Sequence, residues 1–352
     1  AQRQARLNSM FQYRKTTLTI AMPHKHDWEG AWATINFFRD EILAEGLEKW
    51  VSINVIDQQP DWGGDIHNGG HLKRLTSQIN DSGVKCGYFP FTEIEGSAPA
   101  KNAAFRYSSG DWVLVVDCHV QLERGSLKKT FDFIQKNSLS NDLYHGQLCT
   151  DDRKAYYVGL KLYHPNPAGW QTPRPMIGKD LVFGVWETKM AKNMPKTPFE
   201  IEACGGWCIL SRRAAFVGYH PLMAGFGGEE GYTHEATRQR GNKVYSLPFL
   251  RGTHRFHRMN TINYGGDEKI IRNHVIGCMS IGKDLQVWRE ALLATEKMPA
   301  EKLDDVISRT VAELSEKSTI QKMVNSEDPA EKREGLFLES VVNQPWSGFM
   351  PS

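Results

Sequence analysis

The chain has 352 residues, of which 40% are hydrophobic and 24% are charged, and its formal net charge is +2. This composition is typical of a globular protein and argues against a disordered, collagen-like or coiled-coil chain. The balance of charge excludes a protein that coats nucleic acid or membranes through its overall charge, although a local basic groove remains open. At roughly 100–200 residues per domain, the length predicts two domains, or one large domain with an appendage.

Three features predict a cytoplasmic protein without a membrane span. No apolar run approaches the ~20 residues that a spanning helix needs. Residues 1–15 are basic, but the apolar stretch of a secretory signal does not follow them. The six cysteines are scattered along a long chain, which favours reduced thiols over a disulfide framework.

The first third of the chain alternates short apolar runs with segments of helical periodicity. Strands are predicted at 17–23, 51–57, 85–91 and 111–117. Helices are predicted at 29–44, 71–79 and 98–107. This alternation indicates βαβ units and a mostly parallel sheet flanked by helices.

From residue 148 the chain becomes rich in proline, glycine and aromatic residues. Further strands are predicted at 156–163, 181–187 and 203–210. Residues 165–179 are predicted to form a long loop, which is typical of a lid or a binding segment. Ser211 is the expected N-cap of a short helix that ends at residue 216.

The last part of the chain is expected to be helical. A glycine-rich turn at 225–228 leads into a predicted helix over 229–240. Residues 283–316 are charged and have helical periodicity, which predicts a C-terminal helical appendage.

The strand predicted at 111–117 ends in the motif VLVVDCHV, which carries Asp117 and His119. In parallel α/β sheets, ligands bind beyond the carboxyl ends of the strands. Side chains two residues apart in extended chain point the same way, so one divalent cation could bind both. A carboxylate and an imidazole together suit Mn²⁺, Zn²⁺ or Fe²⁺. The alternative is that Asp117 caps a turn and that His119 is a surface residue.

Two later motifs add candidate groups. Glu229 and Glu230 follow the glycine turn and begin a helix, whose N-terminus favours ionised carboxylates. One of them could act as a general base for an acceptor hydroxyl, and helix capping is the alternative for both. The motif RGTHRFHR at 251–258 offers histidines and guanidinium groups, which could complete a metal site and bind phosphate. Its alternative is a basic surface loop.

In this order the motifs resemble the GT-A nucleotide-sugar glycosyltransferases, in particular the family-2-like group and the polypeptide N-acetylgalactosaminyltransferases. TLTIAMPHKHDWEGAWATI resembles the first nucleotide-binding strand and its helix, and VSINVIDQQP resembles the second strand. GSAPAKNAAFRYSSGDWVLVVDCHV resembles the segment that ends in the D-x-D or D-x-H metal motif. ACGGWCILSRRAAF, GFGGEEGYTHEATRQRGNKVYSLP and THRFHR resemble the later sugar, acceptor and histidine segments. The resemblance covers residues 17–258.

The resemblance implies an α/β GT-A fold with a Rossmann-like, mostly parallel sheet and a C-terminal helical appendage. It divides the chain into an N-terminal extension at 1–16, a GT-A domain at 17–275 and a helical region at 276–352. It also implies transfer of a hexosyl or N-acetylhexosaminyl group from a nucleotide-sugar, usually a UDP-sugar, with Mn²⁺ or Mg²⁺ as the metal.

The resemblance also assigns expected roles to residues. The metal ligands are Asp117, His119 and His254. The acceptor and sugar carboxylates are Glu229, expected to contact the sugar, and Glu230, expected to act as the base. The donor-binding residues are Pro23, His24, Asp57, Lys101, Asn102, Gly205, Gly206, Trp207, Arg255 and Arg258. The family often has Arg-Asn where this chain has Lys101 and Asn102.

Several alternatives stay open. A nucleotidyltransferase also binds nucleotides on an α/β sheet, but it usually carries a glycine-rich basic loop where this chain has PHKHDWEG. A non-catalytic GT-A-like module that binds a sugar or a partner protein is the second alternative. The acceptor could be a glycan, a protein or a modified nucleobase in DNA, and retention or inversion stays undecided. Four basic residues could contribute to a nucleic-acid groove: Arg174, Lys179, Lys189 and Lys192.

Overall fold

The structure is a computed structural model that describes residues 15–59, 69–149, 155–163, 174–175, 183–255, 266–293, 299–328, 332 and 336. Its strands are β1 Leu18–His24, β2 Val51–Asp57, β3 Cys86–Pro90, β4 Trp112–Val116, β5 Val120–Leu122, β6 Leu143–Cys149, β7 Ala155–Tyr163, β8 Arg174–Pro175, β9 Phe183–Met190, β10 Phe199–Glu200, β11 Cys208–Arg212 and β12 Val244–His254. Its helices are α1 Trp28–Ala44, α2 Gly69–Asp81, α3 Ser97–Tyr107, α4 Ser126–Lys136, α5 Glu230–Gln239, α6 Gly266–Ser280, α7 Leu285–Leu293, α8 Ala300–Ser315 and α9 Lys317–Val324.

The described strands form one mixed sheet in the order β3-β2-β1-β4-β11-β6-β7-β9-β8. Strands β1 to β4 are parallel, and helices connect them as the βαβ pattern predicts. Strand β11 then runs antiparallel to both β4 and β6. Strand β12 pairs with β6, β5 and β10, so it connects the middle of the sheet to a small ribbon beside β4.

Helices cover both faces of the sheet. One hydrophobic cluster contains Phe38 of α1, Leu72 of α2 and Phe131 of α4, packed against the inner strands. The other contains Phe105 of α3 together with Trp288 of α7 and further residues of α5, α6, α8 and α9. Strand β4 is buried along its whole length, as a strand between two helical layers must be. The C-terminal helices therefore share a core with the sheet domain.

The structure confirms the α/β fold class, with a parallel half that carries strands β1 to β4. The predicted domain limit at 275/276 lies inside α6, which runs across it. The predicted helix at 211–216 is wrong because Ser211 and Arg212 belong to β11, where Ser211 pairs with Val113 of β4. Strand β11 begins at Cys208, five residues later than predicted.

Several elements were not predicted from the sequence. They are β5, α4, β6, β8, β10, β12 and α6. The loop predicted at 165–179 lies outside the described residues, apart from the two residues of β8. Among the helices of the described part of the chain, none has the length and apolar character needed to cross a membrane.

Candidate active site

The candidate site lies where β1, β2 and β4 end at one edge of the sheet. Asp117 directly follows β4, and its amide donates a hydrogen bond to the carbonyl of Trp207 at 2.9 Å. Strand β12 runs antiparallel to β5, with His254 opposite Val120. This pairing brings His254 beside His119, although 135 residues separate them in the chain.

Asp117, His119 and His254 converge with the spacing of a metal-binding group. The Nε2 atoms of the two histidines lie 3.0 Å apart. Oδ2 of Asp117 lies 4.0 Å from Nε2 of His119 and 3.6 Å from Nε2 of His254. A point equidistant from the corners of a triangle with these sides lies about 2.1 Å from each of them, which is within the bonding range of divalent cations. The three ligand atoms therefore fit a single divalent cation.

The charge state of Asp117 suits this role. Burial alone would raise the pKa of its carboxyl group, but the neighbouring His254, His119 and Lys101 lower it well below the usual range. The carboxylate is thus ionised at neutral pH, as a metal ligand must be. Its side chain keeps 28% exposure, while the two histidines are almost buried, so the group opens toward solvent on the side of Asp117.

Asp27 lies behind His119, on the side away from Asp117. Its Oδ2 atom is 3.1 Å from Nδ1 of His119, and Nη1 of Arg255 is 3.9 Å from its Oδ1. Burial alone would raise the pKa of Asp27, but the contacts with His119, Gly30 and Arg255 lower it. The sequence motifs did not single out this residue. Its only signal was its place two residues before the helix predicted at 29–44, close to where an aspartate N-cap is expected.

The end of β1 meets the end of β2 through a buried polar group. Nδ1 of His24 lies 3.0 Å from Oδ1 of Asp57, and both side chains are fully buried. The hydroxyl of Tyr88 donates to Oδ2 of Asp57 at 2.7 Å, and the amide of Gln59 donates to its Oδ1 at 2.9 Å. Burial alone would raise the pKa of Asp57, but these contacts, led by that with His24, lower it. Asp57 is therefore a carboxylate already bound to three protein groups.

Lys101 of α3 lies at the centre of the site, although only 4% of it is exposed. Its ammonium donates to Oγ of Ser97 at 2.7 Å and lies 4.0 Å from Oε1 of Glu229. The absence of a side chain at Gly206 makes room for it, because a Cβ there would overlap Nζ. Burial alone would lower the pKa of Lys101, but the surrounding phenol of Tyr219 and the acidic groups raise it. The site therefore holds a permanent buried cation.

The two adjacent carboxylates have different surroundings. Glu229 is the residue before α5, is fully buried, and has neither carboxylate oxygen in a hydrogen bond within the described residues. Burial and the neighbouring Glu230 raise the pKa of Glu229 to about 7. Glu230 opens α5 and is only partly buried, with its side chain beside the position of Gly206. Only Glu230 is open to a molecule in the cleft.

The remaining predicted donor residues have mixed environments. The side-chain amide of Asn102 makes two hydrogen bonds with the backbone of Tyr219, at 2.9 and 2.8 Å. Trp207 is 4% exposed and belongs to the core, so it can reach the cleft only through its backbone. Gly205 and Pro23 are partly buried, and 43% of the side chain of Arg255 is exposed. Arg258 lies outside the described residues.

The basic residues predicted for a nucleic-acid groove are only partly described. Nζ of Lys189 lies 2.9 Å from Oε1 of Glu187, and Lys192 is exposed. The side chain of Arg174 and the whole of Lys179 lie outside the described part of the chain.

Comparisons with known proteins give a family match and a similar fold. Residues 70–216 match the family described as "Glycosyl transferase family 2". No curated protein sequence matches the chain significantly. The fold is similar to that of GalNAc-T7, solved with UDP, GalNAc and Mn²⁺, with a TM-score of 0.55 and 16% identity over 88% of this chain. The chain covers 58% of the length of that structure.

Two further structures are more distant. The mannosyltransferase PcManGT of Pyrobaculum calidifontis, solved with GDP-Man and Mn²⁺, has a TM-score of 0.46 and 10% identity, and the alignment covers 94% of this chain and 87% of that one. TarS residues 1–349 of S. aureus, solved with UDP-GlcNAc, has a TM-score of 0.45 and 11% identity, with 92% and 79% covered. The similarity to GalNAc-T7, together with the family match over residues 70–216, confirms the resemblance to GT-A glycosyltransferases at the level of the fold.

Proposed function

We propose that this GT-A domain is a metal-dependent glycosyltransferase that moves a sugar from a nucleotide-sugar, in the first instance a UDP-sugar, to an acceptor hydroxyl. The observation that carries the proposal is the convergence of Asp117, His119 and His254 on one point beyond the carboxyl ends of the parallel strands. Mn²⁺ or Mg²⁺ is the proposed metal, in keeping with the Mn²⁺ in the GalNAc-T7 structure.

The physical requirement of the reaction is to stabilise negative charge. When the bond from the anomeric carbon to phosphate breaks, charge develops on the diphosphate, and a bound divalent cation supplies Lewis acidity there. Asp117, His119 and His254 hold that cation. Arg255, exposed beside them, adds a mobile positive charge for the phosphates.

The nucleoside is proposed to lie at the ends of β1 and β2. His24, Asp57 and Tyr88 form a buried, mutually bonded floor there. Such a floor is preorganised because its groups already hold one another in place. This floor contacts the nucleoside through the shape of its surface and through the backbone around Pro23.

The sugar is proposed to lie between the Gly205–Gly206 backbone and the beginning of α5. Glu230 is partly exposed there, so it is the carboxylate that orients a sugar or acceptor hydroxyl, and it is the candidate base. Glu229 instead has a supporting role, because its carboxylate is buried beside the ammonium of Lys101. Lys101 keeps a positive charge between the acids and the metal ligands.

Calorimetric titration of the full chain with UDP, GDP and TDP, each with and without Mn²⁺, tests the donor assignment. We expect Mn²⁺-dependent binding of UDP, and the loss of that binding in Asp117→Ala. Asp40→Ala is the matched control, because Asp40 is an exposed carboxylate on the same domain. Absence of binding by the folded wild-type chain would contradict the proposal and favour a non-catalytic module.

The salt dependence of acceptor affinity tests which class of acceptor the protein uses. A nucleic-acid acceptor loses affinity steeply as salt rises, because Lys and Arg contacts to phosphates release counterions. A neutral glycan does not show this behaviour. Measuring acceptor affinity at two salt concentrations therefore separates a DNA acceptor from a neutral glycan.

A further inference from the structure

The two nitrogens of His119 face two different groups of residues. Nε2 faces His254 and Asp117, at 3.0 and 4.0 Å. Nδ1 faces Asp27 at 3.1 Å, with Sγ of Cys118 at 3.6 Å from the same nitrogen. A neutral imidazole carries a proton on one nitrogen and a lone pair on the other. Which nitrogen can bind a metal therefore depends on what faces the other one.

Asp27 is held in place by the beginning of helix α1. Its Oδ1 accepts a hydrogen bond from the amide of Gly30 at 3.1 Å, which is the usual N-cap contact. Gly30 has no side chain, and a Cβ at that position would lie only 2.6 Å from Oδ2 of Asp27. The glycine thus leaves the space that the carboxylate occupies. Only 5% of Asp27 is exposed, so water competes little for its oxygens.

We infer that Asp27 is a positioning residue for the metal centre: its Oδ2 atom, 3.1 Å from Nδ1 of His119, favours the tautomer with the proton on Nδ1 and so keeps the Nε2 lone pair directed at Asp117 and His254. This inference rests on the proposed function, because it assumes that these three residues bind a metal. Carboxylates that hold a ligating histidine in this way fix both its tautomer and its ring orientation. The N-terminus of α1 is thereby coupled to the metal ligand on the β4–β5 turn.

The carboxylate of Asp27 contacts more than one structural element. Asp27 caps α1 with one oxygen and faces His119 with the other, while Arg255, next to His254 in the chain, lies 3.9 Å from it. The helix, the β4–β5 turn and the end of β12 thus meet at a single carboxylate.

Two substitutions separate the capping role from the positioning role. Asp27→Ser keeps an N-cap oxygen for Gly30, but its side chain is too short to reach His119. Asp27→Asn removes the charge and keeps one acceptor oxygen, which can face His119 only by giving up the contact with Gly30. Glu29→Gln is the matched control, since Glu29 is an exposed acid in the first turn of the same helix.

The measurement is the affinity of the full chain for Mn²⁺ without nucleotide, from the electron paramagnetic resonance signal of free Mn²⁺. We expect Asp27→Ser to weaken binding by about 10–100-fold. We expect Asp27→Asn to weaken it less and Glu29→Gln to leave it unchanged, with thermal unfolding little altered in all three. ¹⁵N spectra of the metal-free protein provide a second readout. They should show the Nδ1–H tautomer for His119 in the wild type and its loss in Asp27→Ser.

Two results would overturn the inference, and the first of them would leave the proposed function intact. One is wild-type Mn²⁺ affinity in Asp27→Ser while Asp117→Ala abolishes binding, which would leave Asp27 a helix cap only. The other is a Cys118→Ala variant that loses Mn²⁺ while Asp117→Ala keeps it, which would place the ion at Asp27, Cys118 and His119 instead. Failure of the wild type to bind Mn²⁺ at all would instead contradict the proposed function itself.

Discussion

The close packing of Gly206 against Lys101 makes Gly206→Ala a sharp test of the site. The added Cβ would overlap Nζ of Lys101 and lie 3.1 Å from its Cε. Ordinary contacts are about 3.5–4.0 Å, so the ammonium must move by roughly 1 Å. Its hydrogen bond to Ser97, now 2.7 Å, would then exceed hydrogen-bonding range.

The expected cost follows from these contacts. Loss of a hydrogen bond by a charged group costs about 1.5–3 kcal/mol, and overpacking in general costs about 1–3 kcal/mol. The smaller entropy of the unfolded alanine chain offsets about 0.4–1 kcal/mol of this. We therefore expect Gly206→Ala to lower the free energy of unfolding by about 1.5–5 kcal/mol, measured by urea denaturation. Donor turnover should fall as well, since the buried cation is displaced.

Two controls decide whether Lys101 is the cause. Gly70→Ala adds a Cβ that lies 3.8 Å from its nearest neighbour, so it should not destabilise the chain. In a Lys101→Ala background the space at Gly206 is free, and Gly206→Ala should then cost little. The difference between the two backgrounds is the interaction energy of the pair. An equal cost in both backgrounds, or no cost in the wild type, would refute the proposed packing.

Three further predictions concern stability. Burial, as the main cause, raises the pKa of Glu229 in the fold to about 7, so the folded state favours its protonated form. This stabilisation is present below about pH 4.5 and is lost as pH rises toward 7. Glu229→Gln does not undergo this loss, so its free energy of unfolding in urea should gain about 2–4 kcal/mol relative to the wild type across that range, and parallel pH profiles of the two proteins would contradict this. Tyr88→Phe removes a hydrogen bond to the carboxylate of Asp57 and should cost about 1.5–3 kcal/mol in thermal unfolding, so an unchanged midpoint would argue against that contact. Gly228 has a φ of +83°, and a Cβ there would lie 2.7 Å from a backbone oxygen, whereas Gly241 has a φ of +77° and open space around it. Gly241→Ala should therefore cost about 1–2 kcal/mol of stability, and Gly228→Ala should cost more. Equal costs would count against the packing at Gly228.

The parallel half of the fold was predictable because its signals are local. Strands β1, β2 and β4 are apolar runs flanked by helical periodicity, and each was predicted to within one residue at both ends. Strand β12 was missed because its eleven residues include a proline and two charged or polar breaks in the apolar pattern. Its identity as a strand depends on pairing with β5 and β6, which are distant in the chain.

The helix predicted from Ser211 fails for a related reason. Serine is a good N-cap, but here its backbone is already paired with β4, and tertiary pairing overrides a local preference. Conversely, the proposed metal ligands Asp117 and His119, which follow β4, were visible as a motif, and His254 was named through the family resemblance. Asp27 could not be found from spacing, because its contact with His119 joins positions 92 residues apart. Only the folded chain brings them together.

The central claim is that one divalent cation binds among Asp117, His119 and His254. Anomalous diffraction at the manganese absorption edge, from crystals grown with Mn²⁺ and UDP, tests it most directly. We expect a single strong peak within bonding distance of Oδ2 of Asp117 and of Nε2 of both histidines, and its loss in His254→Ala. A peak bound elsewhere on the chain, with these three side chains unligated, would contradict it.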